Sequence, residues 1–260
     1  HSGLNVEGHL HMAFPVEGDW KTAGVCVREV DGQIEGDVYG NVDSEQVGRQ
    51  VARILSLDVD GRAFGEVGTR DPVVADLQQR FTGLRPVCFY STYEAAVWAI
   101  LSQRVQMRQA ARIKDRLREA FGQAVEIHGQ SMRAFPPPEA LLGVPEFTGL
   151  FSSKIGSLHA IAAAALAGLL NADELRALRE ADALGRLEEL PGIGPFSAEL
   201  ILLRGAGHPD YLTLVEPRFR RAVQQAYRLD HLPTDDDLRR ISDGWRPYRM
   251  WVTFLLRQAA

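Results

Sequence analysis

Leu190-Pro191-Gly192-Ile193-Gly194-Pro195-Phe196-Ser197-Ala198-Glu199 decides how the rest of this 260-residue chain reads. The residues before it, Asp182 to Glu189, have the pattern of a short helix. Pro-Gly-x-Gly then permits a turn too tight for residues carrying a β-carbon. Pro195 suits the first turn of a following helix, where its missing N–H costs nothing. Leu200-Ile201-Leu202-Leu203 make that second helix apolar enough to be buried. The unit is helix, glycine hairpin, helix. Backbone N–H groups at such a hairpin can hold a phosphate without any side-chain charge. Taken alone, Gly-x-Gly at a helix start is equally well a plain tight turn.

Downstream residues add to the pattern. Arg204-Gly205 ends the apolar run, and Val215-Glu216-Pro217-Arg218 places an acid 24 positions after Gly192. Hairpin, apolar helix, Arg-Gly and acid together resemble the helix-hairpin-helix DNA glycosylase superfamily, and within it the 3-methyladenine DNA glycosylase II branch. Two other stretches carry the resemblance. Ala99-Ile100-Leu101-Ser102-Gln103-Arg104-Val105 is similar to the helix junction from which this family pushes a glutamine and a wedge residue into the duplex. Trp245-Arg246-Pro247-Tyr248-Arg249 is similar to the opening of its C-terminal helix. Gln103 keeps the family's amide, whereas Arg104 stands where leucine or glutamine is more usual. Residues 85–260 carry the resemblance well and the N-terminal part loosely.

The resemblance implies an enzyme, a hydrolase that flips a damaged, alkylated base out of duplex DNA and cleaves its N-glycosidic bond. Positive charge builds on the sugar as the base departs, so a fixed carboxylate and an aromatic pocket are the expected devices. Glu216 stands where the family holds a catalytic aspartate, one methylene longer. Its plain reading is a first-turn or capping acid before Pro217, favoured by the helix dipole. Phe196 stands where the branch has a base-stacking tryptophan, and its plain reading is a core aromatic. Members that also cleave the DNA strand carry a lysine at the Phe196 position, so a glycosylase without lyase activity is implied here. Gly192 and Gly194 are the expected phosphate contacts, with Gln103 and Arg104 reaching into the duplex. The resemblance adds a monovalent cation at hairpin carbonyls, no required cofactor and no iron–sulfur cluster. Double-stranded DNA is the implied partner of a monomer. Two alternatives stay open: a DNA-binding protein without catalysis, or a glycosylase for another lesion class.

Composition constrains these readings. The net charge of −5 is unevenly spread: residues 1–84 carry 7 basic and 14 acidic side chains, the remainder 22 and 20. DNA binding needs a local basic face, since only contacted phosphates count. The two cysteines, Cys26 and Cys88, make neither a disulfide framework nor a metal cluster, which points to a reducing cytoplasm. The richest apolar run, Ala160 to Leu170, is too short to span a membrane. His11-Met12 has the form of a tag junction, leaving residues 1–11 as either remnant or native chain.

Periodicity supplies the remaining expectations. Strands are expected at His9–Val16, Ala23–Val30 and Gln33–Tyr39, with Asp31-Gly32 as a hairpin turn. Helices are expected at 45–55, 73–81, 93–104, 107–121, 154–169, 173–186, 218–227 and 235–243, with a loop before Pro136 and a last helix after Trp245. In the helix over 107–121, Arg108, Arg112, Lys114, Arg116 and Arg118 are expected outward, as a solvated face or a phosphate-facing one. His159 reads as a core or boundary residue. The fold class is α+β: an N-terminal antiparallel sheet domain over 1–84 and a mostly helical region over 85–260.

Overall fold

The computed structural model describes residues 4–6 and 8–260. Its N-terminal sheet is antiparallel and ordered β1 (Leu4–Val6), β2 (His9–Pro15), β3 (Thr22–Val30), β4 (Gln33–Tyr39). Asp31 and Gly32 turn β3 into β4 with φ of +51° and +78°, the left-handed pair that a two-residue hairpin needs. Alternation then sorts the side chains. Met12, Phe14, Val25 and Val27 face helix α1 (Ser44–Ile54), meeting its Val47, Val51 and Ile54. Asp43 caps α1 by accepting from the Glu45 N–H.

The opposite face of the sheet is also covered. Helices α2 (Gly61–Arg70), α3 (Pro72–Arg80), α4 (Thr92–Leu101) and α5 (Met107–Phe121) lead to a second hairpin, β5 (Ala124–Ile127) and β6 (Gln130–Arg133). This span is the expected loop, and it instead lays Val125 and Ile127 on the sheet over Gly24. A β-carbon on Gly24 would lie 2.8 Å from Ile127 Cγ1 and 3.0 Å from Val125 Cγ2, so the approach requires glycine.

The helical part continues with α6 (Pro138–Leu142), α7 (Ser152–Leu166), α8 (Ala172–Ala177), α9 (Glu180–Glu188) and α10 (Pro195–Leu200), which runs on as a π-turn over Ile201–Gly205. Then come α11 (Pro217–Ala226), α12 (Asp235–Asp243) and α13 (Arg249–Ala259). Helix α4 is buried on nearly every side, and its Tyr93, Ile100 and Leu101 centre one core with Ile113, Leu117, Leu158, Ile161, Ile201 and Leu202. A second core joins Phe64, Val67, Val74 and Leu77 of α2 and α3 to Phe219, Val223, Trp245, Trp251 and Leu255. Residues before 84 therefore pack inside the C-terminal helices, and the packing runs across the expected division there.

Buried polar contacts lock these parts. The Arg53 guanidinium, nearly inaccessible, pairs with Glu17 at 2.7 Å and donates to the Gly205 carbonyl of the π-turn, while Glu17 accepts the Thr92 N–H at 2.9 Å. The Trp-Arg-Pro-Tyr-Arg stretch serves packing. Trp245 Nε1 donates to Asp71 at 3.1 Å, Tyr248 donates to the Asp60 carbonyl at 2.7 Å, and Arg249 pairs with Asp210 and Glu180 at 2.8 and 2.7 Å. Among the described residues, no helix is long and apolar enough to cross a membrane.

Candidate active site and nucleic-acid interface

The hairpin between α9 and α10 closes on Leu190, whose carbonyl accepts the Ile193 N–H at 3.0 Å. Gly192 has φ +87°, and a β-carbon there would lie 2.9 Å from Ile100 Cδ1 and 3.0 Å from Ser157 Oγ. Conformation thus favours glycine here, and the space beside it is tight against two side-chain tips. Gly194 differs: its backbone is extended at φ −106°, and nothing lies within 4 Å of where a β-carbon would be. The N–H groups of Gly194, Phe196 and Ser197 have no acceptor among the described residues. They are unsatisfied donors at the start of α10, beside the open space that a β-carbon on Gly194 would enter.

Gln103 is brought to this hairpin. Its Nε2 donates to the Gly192 carbonyl at 2.6 Å, tying the end of α4 to the turn. Helix α4 stops at Leu101, earlier than expected, and Lys154 of α7 satisfies its last carbonyls by donating to Leu101 O at 3.1 Å and Gln103 O at 2.8 Å. Burial lowers the Lys154 pKa from its ordinary value. Arg104 follows at φ +56°, exposed and without a hydrogen bond or ion pair among the described residues. A side chain other than glycine held there stores about 1–2 kcal/mol of strain.

Phe196 lies in the first turn of α10 and is 58% exposed, so the reading of it as a core aromatic does not hold. Glu199, one turn further on, is buried and accepts from the hydroxyls of Tyr211 at 2.7 Å and Thr213 at 2.6 Å. Burial, then the Glu199 hydrogen bond, pushes the Tyr211 pKa far up, so the phenol stays a donor. These two bonds fix the segment that leads to Glu216. Glu216 is the N-cap of α11 by position, yet its carboxylate accepts no hydrogen bond from that helix. It turns to α13 and pairs with Arg257 at 3.0 Å, with Glu216 mostly buried and Arg257 partly exposed. The expectation that first-turn N–H groups hold this acid is corrected: Arg257 holds it. Asp210, the nearest other acid, is consumed by Arg249 and Arg246.

The basic face on α5 is smaller than its sequence suggests. Arg108 and Arg112 are exposed and unpaired among the described residues. Lys114 turns inward to the buried Glu94, with its ammonium 5.7–6.0 Å from the rings of Phe89, Trp98 and Phe135. Arg116 covers Phe147, and Arg118 pairs with Asp115 and Glu119. His159 bonds the Val144 carbonyl at 2.9 Å, as a boundary residue should. Arg257, Lys154 and Glu199 are the residues that sequence reasoning missed. Only Glu199 sat beside a recognised pattern.

Similarity to known proteins follows the same residues. A DNA-3-methyladenine glycosylase of Bacillus subtilis (strain 168) is 27% identical over 216 residues, covering 82% of this chain and 71% of that protein. The structure of a 3-methyladenine DNA-glycosylase from Archaeoglobus fulgidus superposes with a TM-score of 0.80 at 23% identity, over 99% of this chain and 89% of that one, a likeness of fold. That of the Schizosaccharomyces pombe 3-methyladenine DNA glycosylase Mag1, in complex with abasic DNA, gives 0.58 at 24% identity over 76% and 95%. Residues 97–247, more than half of the chain and including Gln103, the glycine hairpin and Glu216, match the family of HhH-GPD base excision DNA repair proteins, and the chain belongs to that superfamily.

Proposed function

We propose that this protein is a DNA glycosylase that excises alkylated bases from duplex DNA by hydrolysis, without lyase activity. The observation that carries the reading is the Glu216 carboxylate, which sits at a helix start but is held away from it by Arg257. A capping acid would spend its oxygens on the helix N–H groups. The relatives named as 3-methyladenine glycosylases support the substrate class.

In this reading a phosphate docks on the N–H groups of Gly194, Phe196 and Ser197, with Arg108 and Arg112 adding charge. Arg104 and Gln103, the latter exchanging its bond to the Gly192 carbonyl for the DNA, enter the duplex where the base leaves it, and the exposed Phe196 ring stacks on that base. The C1′–N bond breaks with its electron pair going to the base, while charge on the sugar is offset by Glu216. Water adds to C1′ and its proton leaves to solvent. Phe196 in place of a lysine removes the Schiff-base route. A monovalent cation at the hairpin belongs to the same proposal. Leu190 O and Gly192 O each accept one hydrogen bond and keep a second lone pair, so these carbonyls would hold the ion, which would supply positive charge at the hairpin. No organic cofactor or iron–sulfur cluster is needed, and one chain supplies every group named.

Methylated duplex DNA incubated with the protein should release free methylated purines and leave abasic sites. Binding without release would identify a DNA-binding protein without catalysis. Release only from deaminated or oxidised duplexes would reassign the lesion class.

A further inference from the structure

The face of the N-terminal sheet turned away from α1 gathers three histidines and a cysteine. His9 and His11 are two apart on β2 and so share a face, and His11 pairs directly with Cys26 on β3. His128, in the turn between β5 and β6, closes over them with φ +48°. One donor atom from each of the four lies within 4.8 Å of the other three. His9 Nδ1 is 3.3 Å from Cys26 Sγ, and the His128 ring centroid is 5.5 Å from that of His11 and 6.4 Å from that of His9.

Ordinary packing does not account for this set. His11 is 3% exposed and its Nδ1 has no hydrogen-bond partner among the described residues. A buried polar atom left so in a native fold calls for an explanation, and a bound ion is one. His9 and His11 also lie inside a paired strand, so they are part of the sheet.

We propose that His9, His11, Cys26 and His128 form a closed tetrahedral site for zinc, structural in role, that clamps the sheet to the β5–β6 hairpin. Three imidazoles and one thiolate suit this ion, and four protein ligands leave no open position for catalysis. Tetrahedral zinc sets its donors about 3.5 Å apart, so the exposed His128 ring closes inward by a small rotation. Each zinc–sulfur bond formed releases the thiol proton to water. The Tyr39 hydroxyl, 3.1 Å from His128 Nε2, is placed to orient that ring, while Asp37, opposite Cys26, is engaged by Arg28 at 2.5 Å. The small cysteine count argues against an all-thiolate site and leaves this one open.

The test uses the untagged protein, stripped with chelator and titrated with zinc or cobalt(II). One equivalent of zinc should be retained after desalting, and the thermal unfolding midpoint should rise with added zinc. Cobalt(II) should give intense tetrahedral bands with a thiolate-to-metal charge-transfer band. His128→Ala changes an exposed residue, and its metal-free form should show the circular dichroism of the metal-free parent. It should lose both the retained equivalent and the midpoint shift. Absence of a retained equivalent in the parent overturns the proposal, as does equal retention in His128→Ala. A cobalt spectrum without the charge-transfer band removes Cys26 from the site and overturns it as stated, whether or not a Cys26→Ser variant folds. None of these readouts depends on base excision.

Discussion

Glu216 and Arg257 meet at 3.0 Å, and that contact turns a one-methylene departure from the family pattern into a testable statement. Glu216→Gln keeps the shape and removes the charge. It should lower single-turnover excision by about 10²–10³ while leaving duplex affinity nearly unchanged. Glu216→Asp restores the family residue but retracts the carboxylate from Arg257 by about 1 Å, and should lose on the order of a hundredfold in rate. Higher activity in the aspartate variant would mean that the site is not built around Glu216. Phe196, being exposed, can be removed without a cavity. Phe196→Ala should reduce excision far more than binding, with unchanged unfolding midpoint, and Phe196→Trp should retain activity. Equal losses of binding and excision would make the ring a mere surface contact. The acid and the aromatic could be proposed from sequence because each sits at a fixed distance from the glycines of the family pattern. Arg257 was not, since nothing local in α13 marks one basic residue in its last turn as a partner for another helix.

Helix ends decide the next set of outcomes. The two hairpin glycines should separate fold from binding. Gly192→Ala forces a β-carbon into Ile100 and Ser157 at positive φ, and should cost at least about 1 kcal/mol in urea unfolding. Gly194→Val enters open space in extended backbone, should leave stability within about 0.5 kcal/mol, and should abolish duplex binding by screening the N–H groups. Normal affinity in a folded Gly194→Val would remove the phosphate from this turn. Helix α12 offers a pH outcome. The hydroxyl and backbone N–H of Thr234, then Arg240 and His231, hold the Asp237 pKa well below its ordinary value. A depressed acid stabilises fully above the unfolded carboxylate range near about 4 and loses that contribution as pH falls through the folded value. Protection factors of the α12 amides, corrected for intrinsic exchange, should therefore fall as pH drops below about 4, and Asp237→Asn should flatten the dependence. Caps and amphipathic repeats made α5 and α12 legible at their bounds. Helix α2 went unread, and α8 and α9 read as one because Leu178-Arg179 breaks the helix without glycine or proline. The β5–β6 hairpin read as loop because Glu126, Gln130 and Ser131 dilute its apolar alternation.

Across the whole molecule, the parts are tied by charges that no local pattern reveals. Glu17 reads in sequence as part of a turn, yet with Arg53 it joins the sheet, α1, the start of α4 and the π-turn. Arg53→Met strands a mostly buried carboxylate, and should cost about 3–5 kcal/mol in unfolding free energy; a loss under about 1 kcal/mol would show that the pair is replaceable. The acidic N-terminal third is thus part of the scaffold that carries the hairpin, and the charge imbalance did not announce this. Gly24 adds a consequence in time. The strands around it are made first, but the hairpin that covers them begins a hundred residues later, at Ala124. A ribosome adding about 5–20 residues per second takes roughly 5–20 s over that distance. For that interval the nascent sheet presents Ala13, Gly24 and Cys26 bare on one side, and an arrested chain ending before Ala124 keeps them so, a surface for chaperones to hold until translation delivers its cover.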